Sequence, residues 1–393
     1  MARAYWNPDI ETLARAELER LEAPLIAEQI AYAYAHSDYY RQRFDEAGVR
    51  PEKVTGIEAL ESVPLMEKAD ISAAQRHGSL FGPHQCAPFE DIVRIVGTGG
   101  TSGQPTRIGW TAADADLYNE MGARALWANG CRPGDFVVNC FNYSLYAGGI
   151  MDHMAFEKLG AGILPYSVGR SERLLDLLLD LSRARIPGAY TLYSTPSYAI
   201  RLHALAEGRG MDLKDLNVRK GIFSGEPGLQ IPGYRAKIEE AWGMVAMDLY
   251  GAAEVGVQSG ECEHRCGLHY GAGGLVVAEL IDPGSGAVKK LESGVTGEIV
   301  FTTLRRRACP LIRLRTHDTN VEITSGLPAL RIETLRGEIV EAIQQRSNFT
   351  PVVEFVRNGS IASEHKTRRL YRAYDGVFPP NVPDAARITG SRP

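Results

Sequence analysis

No run of eighteen apolar residues occurs anywhere in the chain, so no stretch has the length and apolarity of a membrane-crossing helix. The opening, "MARAYWNPDIETLARAELERL", is acidic along its length and lacks the apolar centre of a signal peptide. Excess positive charge is also missing: 43 Lys and Arg stand against 48 Asp and Glu, a net charge of -5. No global field therefore draws nucleic acid or an anionic membrane, although local anion sites remain open. Cysteine is scarce, with six in 393 residues, too few for a disulfide framework at this length. Cys86, Cys131 and Cys140 are scattered singly and read as small apolar residues. Internal repeats are absent. These absences lead to the expectation of a cytoplasmic enzyme or binding protein, with neither nucleic acid nor membrane among its partners.

What is present suits a soluble globular chain, at 44% hydrophobic and 23% charged residues. The length exceeds a usual single domain, so a large domain plus a smaller one is expected. From Pro8 to about Arg43, apolar residues recur at three and four, which predicts two amphipathic helices forming a packing layer. "DIVRIVGTGG" is strand then glycine loop, and "AADADLYNEMGARALWANG" is a helix ended by Gly130. Between 134 and 260, short apolar strands alternate with helical segments, which predicts βαβ units and a largely parallel, helix-covered sheet. From Gly274, "GLVVAELIDPGSGAVKKLESGVTGEIVFTTL" predicts an antiparallel layer or small barrel turning at "DPGSG". The expected fold is thus α/β, with a large N-terminal domain over 1–318 and a small α+β C-terminal domain over 319–393.

The stretch "GTGGTSGQPT", residues 97 to 106, holds four glycines, three threonines and a serine. It lacks the G-K-[ST] ending of a Walker loop and the spacing of a Rossmann turn. Its composition nevertheless suits phosphate. Glycines let backbone N–H groups turn toward an anion, and Thr98, Thr101, Ser102 and Thr106 offer hydroxyl donors. An ordinary polar turn is the plain alternative.

Taken in order, "TGGTSGQPT", "FSGEPG", "MDLYGAAEVG", "LIRLRTHD" and "EHKTRR" resemble the signatures of acyl-adenylate-forming enzymes, specifically the phenylacetate–CoA ligase family. The likeness runs continuously from about 5 to 320 and again, more weakly, over 335 to 372. It implies two half-reactions: a carboxylate attacks the α-phosphorus of ATP to give acyl-AMP and pyrophosphate, and a thiol then displaces AMP. By this resemblance Thr98, Gly99, Gly100, Thr101, Ser102, Gly103 and Thr106 hold ATP phosphates. Ser224, Gly225, Glu226 and Pro227 border the adenine, with Tyr250 on its face beside Gly251. Glu254 helps bind Mg²⁺, for which a carboxylate is a suitable hard oxygen ligand. Asp318 accepts from both ribose hydroxyls, and Arg315 pairs with a phosphate or with Asp318. The family often carries lysine where Gln104 stands, so one positive charge is missing from the loop; whether Arg107 replaces it is open.

The segment "NCFNYSLYAGG" resembles the family's acyl-pocket segment, making Phe141, Tyr143, Tyr146, Ala147 and Gly148 the candidate acid pocket. "STPSY", residues 194 to 198, is a second wall. Aromatic walls suit an aryl or arylacetic acid. The resemblance implies CoA as the default thiol. A carrier-protein thiol is the alternative acceptor, and an inactive nucleotide-binding homologue is a third reading, because only 75 residues follow Asp318 and the family's CGR-type segment is not recognisable between Thr324 and Leu335. Lys366, in "GSIASEHKTRRLYR", matches the family lysine that meets the forming acyl-AMP, with His365 where the family has glycine. Lastly, "ECEHRCGLH" brings cysteines and histidines together, and zinc takes four N or S donors. Cys262, Cys266, His269 and Cys309 are the expected structural zinc ligands, with His264 the rival fourth; free thiols beside surface histidines are the plain alternative.

Overall fold

The computed structural model describes residues 4–98, 105–184, 190–265, 267–318 and 321–323, together with the backbone of two short strands at 371–372 and 387–388. Where two helices are expected between Pro8 and about Arg43 the structure has three, α1 (Pro8–Glu11), α2 (Arg15–His36) and α3 (Asp38–Glu46), and α4 (Ile57–Leu60) and α5 (Lys68–Arg76) follow. A short antiparallel ribbon follows, β1 (Ile92–Gly97) with β2 (Arg107–Thr111), and then α6 (Ala112–Ala128). The side chain of Thr111 caps α6 by accepting from Asp114 N, and the Asp114 carboxylate in turn accepts from Thr111 N. The same carboxylate accepts from the backbone of Arg307 and Ala308 at 2.6 and 2.9 Å, so one helix start anchors a distant loop.

The alternation beyond residue 134 forms β3 (Phe136–Asn139), α7 (Ala147–Leu159), β4 (Gly162–Pro165), α8 (Ser171–Arg183), β5 (Tyr190–Ser194), α9 (Pro196–Gly208), β6 (Val218–Phe223), α10 (Pro232–Trp242) and β7 (Val245–Ala252). β8 (Gly256–Glu261) and β9 (Leu268–Tyr270) extend the sheet, whose order is β4-β3-β5-β6-β7-β8-β9. The pairings among β4, β3, β5, β6 and β7 are parallel; those of β8 and β9 are antiparallel. Both faces are covered, as a parallel sheet requires. Leu174, Leu178, Ile238 and Trp242 from α8 and α10 pack on one cluster, and Leu126, Phe156 and Leu159 from α6 and α7 pack on another.

The antiparallel layer comprises β10 (Val276–Ile281), β11 (Val288–Lys289), β12 (Thr296–Thr303), β13 (Leu314–Arg315) and β14 (Val321–Glu322). Ile26, Ile30, Tyr40 and Phe44 of α2 and α3 pack with Val276, Val277 and Phe301 of this layer. Among the described residues no helix is long and apolar enough to cross a membrane.

Asp152 of α7 is fully buried between Tyr118 and Tyr193, whose hydroxyls donate to it at 2.6 and 2.5 Å. Burial pushes its carboxyl from 3.8 up to about 6. The unfolded chain therefore releases this proton first, and the contribution of Asp152 to stability falls as pH rises from 3.8 to about 6, then levels off. Asp152→Asn is expected to flatten that part of the stability profile, read by urea unfolding at intervals across this range.

Candidate functional site

Four of the segments singled out in the sequence, "NCFNYSLYAGG", "STPSY", "FSGEPG" and "MDLYGAAEVG", lie at the carboxyl ends of β3, β5, β6 and β7, where open α/β sheets place ligands. β3 leads into residues 140–146, β5 into 195–198, and β6 into 224–227. These stretches touch. A Cβ added at Gly225 would lie 3.4 Å from the Phe141 ring, and the backbone at Gly225 has φ +84, which suits glycine. Glu226 Oε1 accepts from Ser197 N at 2.6 Å, tying the turn after β6 to the start of α9. Ser224 N donates to Ser194 O at 3.2 Å.

β7 carries Tyr250, whose hydroxyl donates to Asp318 Oδ2 at 2.5 Å. Burial, with the Asp318 hydrogen bond and charge next in size, holds the Tyr250 phenol well above its ordinary range. The pair joins the "MDLYGAAEVG" and "RTHD" segments across 68 residues and presents an aromatic face beside an exposed carboxylate. Gly251 sits at a break in the β7–β8 register; a Cβ there would meet Gly256 O at 2.8 Å.

The neck of the glycine loop is formed by Thr98 N donating to Thr106 O at 3.0 Å. Thr98 Oγ1 is buried and has no hydrogen-bond partner among the described residues. Thr106 Oγ1 shares a 3.0 Å hydrogen bond with Ser72 Oγ of α5. Gly99, Gly100, Thr101, Ser102 and Gly103 lie outside the described residues.

The electrostatics differ from the sequence expectation in two places. Arg315 does not pair with Asp318: it forks onto buried Glu298 at 3.1 and 2.6 Å, reaches Glu67 at 3.3 Å, and donates to Pro283 O. Two carboxylates outbid a single exposed one, and the Glu298 hydrogen bonds raise the guanidinium pKa further. Arg107, the open candidate for the charge absent at Gln104, donates to Leu80 O and Ser79 O instead. The cation at this site is one that sequence reasoning missed. Lys68, at the start of α5 and one turn before Ser72, forms an ion pair with buried Glu254. Arg306, stacked on Trp110 at 4.0 Å, fixes the same residue by donating to the Glu254 carbonyl.

In the acid segment, Asn139 Nδ2 donates to Tyr143 Oη at 3.0 Å and to Gly149 O at 3.2 Å. Tyr143 Oη also shares a 2.9 Å bond with His153 Nδ1, and burial pushes its phenol up to about 12. Phe141 lies against Tyr193 with ring centroids 4.5 Å apart. Tyr146 precedes α7, which starts Ala147-Gly148-Gly149; a Cβ on Gly148 would stand 2.8 Å from the Phe141 ring. Small residues here let the helix start lie against the aromatic wall.

Among the described residues the predicted zinc set is not assembled. Cys262 Sγ and His269 Nε2 are 3.0 Å apart across β8 and β9, Cys266 lies outside the described residues, and His264 is exposed beside Glu263. Cys309 is elsewhere, buried with Phe81, Ala87 and Ala308, where burial pushes its thiol up to about 11. A thiol so disposed to stay protonated in an apolar cluster is a poor zinc ligand. Among the described residues no group of three or more His, Cys, Asp or Glu side chains could hold a metal ion. Lys366 also lies outside the described residues.

No family model matches the chain. Among curated proteins it is 34% identical over 348 residues to the phenylacetate-coenzyme A ligase of Pseudomonas putida, covering 85% of this chain and 73% of that protein. It is 34% identical over 317 residues to the phenylacetate-coenzyme A ligase of Thermus thermophilus, covering 80% of this chain and 67% of that one. Among solved structures, 2-hydroxyisobutyryl-CoA ligase in the postadenylation state with 2-HIB-AMP superposes with a TM-score of 0.74 at 31% identity, over 81% of this chain and 66% of that one. An open conformation of that ligase, with 2-HIB-AMP and CoA, gives a TM-score of 0.75 at 28% identity, over 90% and 86%. The chain thus spans about two thirds of several of the proteins it matches.

Proposed function

The chain belongs to the phenylacetate–CoA ligase family of AMP-forming acid–CoA ligases, and from that premise we propose that it activates a carboxylic acid with ATP as acyl-AMP and passes the acyl group to CoA. The observation that carries the reading is the Tyr250–Asp318 pair at 2.5 Å, an aromatic face and a diol acceptor joined at the carboxyl end of the sheet. In this reading Tyr250 stacks on adenine, Ser224 to Pro227 form the adenine wall, and Asp318 takes the ribose hydroxyls. The buried Thr98 hydroxyl, without a partner among the described residues, and the Thr106 hydroxyl border the phosphates. Arg315 acts through Glu298 and Glu67, holding the strand that leads to Asp318.

The donor type of Glu254 fits Mg²⁺, and the buried carboxylate is already set against a cation, Lys68. Mg²⁺, when bound, supplies positive charge to the phosphates. Lys68, released from Glu254, supplies the charge that Gln104 does not, from the same helix whose Ser72 touches Thr106. Transfer at phosphorus is mainly positioning and charge stabilisation, so these contacts, with Lys366 at the junction of carboxylate and α-phosphate, carry the adenylation step.

The acid is aromatic or arylacetic, a reading supported by Phe141, Tyr143 and Tyr146 beside the small residues Ala147 and Gly148. ATP–pyrophosphate exchange over a panel of acids tests it: exchange with phenylacetate-like acids is expected, and exchange only with aliphatic acids such as 2-hydroxyisobutyrate overturns the aromatic assignment. Supplying CoA and a carrier protein separately identifies the thiol. Residues 319–393 are proposed to bring Lys366 to the nucleotide.

Zinc, held by Cys262, Cys266 and His269 with the rival His264 in place of Cys309, would be structural, fixing the turn between β8 and β9. Protein purified without chelator is expected to carry close to one zinc per chain, to lose it in Cys262→Ser, and to keep it in Cys309→Ser. Absence of zinc from the parent protein rejects the site.

A further inference from the structure

The root of the phosphate loop and the acid segment meet through one residue. Gly97 ends β1 and begins the glycine-rich stretch; its N–H donates to Leu145 O at 2.7 Å, and Gly97 is bridged in parallel to Tyr146. The next residue, Thr98, closes the loop neck onto Thr106. Leu145 has φ +77, a region that residues with a Cβ enter only when their surroundings over-determine it, and its N–H donates to Tyr143 O at 3.0 Å in a tight three-residue turn. Its side chain fills the space above Gly97. A Cβ there would lie 2.7 Å from Leu145 Cδ2, 2.8 Å from Leu145 Cγ and 3.1 Å from Pro105 Cβ, so both ends of the loop press on the same spot.

The turn held in this shape carries Tyr143 and Tyr146, the two tyrosines of the proposed acid pocket. We infer that Leu145 is a positioning residue that couples the acid pocket to the ATP phosphate loop: an acid seated against Tyr143 and Tyr146 fixes the turn, and the turn fixes Gly97 and the neck at Thr98. This rests on the ligase reading for the identity of the two ligands. The coupling is reciprocal, since a turn that favours ATP when acid is bound must favour acid when ATP is bound.

A double-mutant cycle on the full chain tests it, using Gly97→Ala, Leu145→Ala and both together, with ATP affinity measured by calorimetry, KM for ATP and for phenylacetate by exchange, and melting temperature as the folding control. Gly97→Ala must displace Leu145, so it is expected to weaken ATP and acid together, each by ~5-fold or more, the lower end of typical coupling between linked sites. Leu145→Ala in that background makes room for the new methyl and is expected to return ATP affinity to that of Leu145→Ala alone. A structural defect without coupling gives additive effects instead. Leu145→Gly, which accepts the positive φ but lacks the side chain, provides a folded second variant; in it, phenylacetate is expected no longer to tighten ATP. Additive effects, an unchanged acid KM in Gly97→Ala, or full acid–ATP coupling in Leu145→Gly overturns the inference. Should the parent chain bind ATP yet exchange with no acid, the ligase reading fails on its own, and the cycle in ATP affinity still decides the Gly97–Leu145 contact.

Discussion

Lys366→Ala is expected to depress acid-dependent pyrophosphate exchange by ~10²-fold or more, the scale for removing one preorganised electrostatic contact in a transition state, while ATP binds almost as before. The ammonium is proposed to meet charge as it develops between the attacking carboxylate and the α-phosphate. An interaction made mainly in the transition state raises kcat and leaves ground-state affinity alone. Exchange rates and calorimetric ATP affinity, measured on parent and variant, separate the two effects. Equal exchange in both proteins removes Lys366 from the mechanism. Exchange without thioester in the parent assigns adenylation alone to this chain.

Lys68→Met is expected to act on different parameters. Losing a charge-assisted contact to phosphate should lower kcat/KM for ATP by ~10- to 10²-fold, the range for hydrogen bonds to charged groups, mostly through KM. The Mg²⁺ concentration giving half-maximal exchange should fall, because the ammonium that competes for the Glu254 carboxylate is gone. Lys68→Arg keeps the charge and should recover part of the loss. A merely structural ion pair would leave the Mg²⁺ dependence where it was, and that result would return Lys68 to the scaffold.

The βαβ alternation was legible because its strands are short apolar runs and its helices are amphipathic; α9 occupies the predicted "PSYAIRLHALAEG" in full. The antiparallel layer announced itself through "DPGSG", where β10 and β11 turn. The start of α7 at Ala147-Gly148-Gly149 was hidden because two glycines are poor helix formers and the reason for them, the Phe141 ring, is a tertiary contact. β8 and β9 were also missed: "GVQSGE" has little apolar alternation, yet every residue of β8 is buried against α6 and its neighbouring strands.

The site was legible where a motif keeps its partners in known order and illegible where charge pairs across the fold. The resemblance of "MDLYGAAEVG" and "LIRLRTHD" to the family's motifs brings Tyr250 and Asp318 forward, but nothing in "MEKADI" marks Lys68 as the partner of a glutamate 186 residues later. Arg315 is assigned by resemblance to a phosphate or to Asp318, because Glu298, its buried partner, sits on a strand whose alternation reads as ordinary sheet. Cys309 was grouped with Cys262 by residue type, whereas the chain folds it into an apolar cluster.

The most direct measurement is acid-dependent ATP–pyrophosphate exchange by the full chain with phenylacetate and Mg²⁺, followed by addition of CoA and detection of the thioester. Exchange that requires the acid, with phenylacetyl-CoA appearing once CoA is present, is the predicted result. ATP binding without exchange for any aromatic or aliphatic acid would contradict it and leave a nucleotide-binding protein without ligase activity.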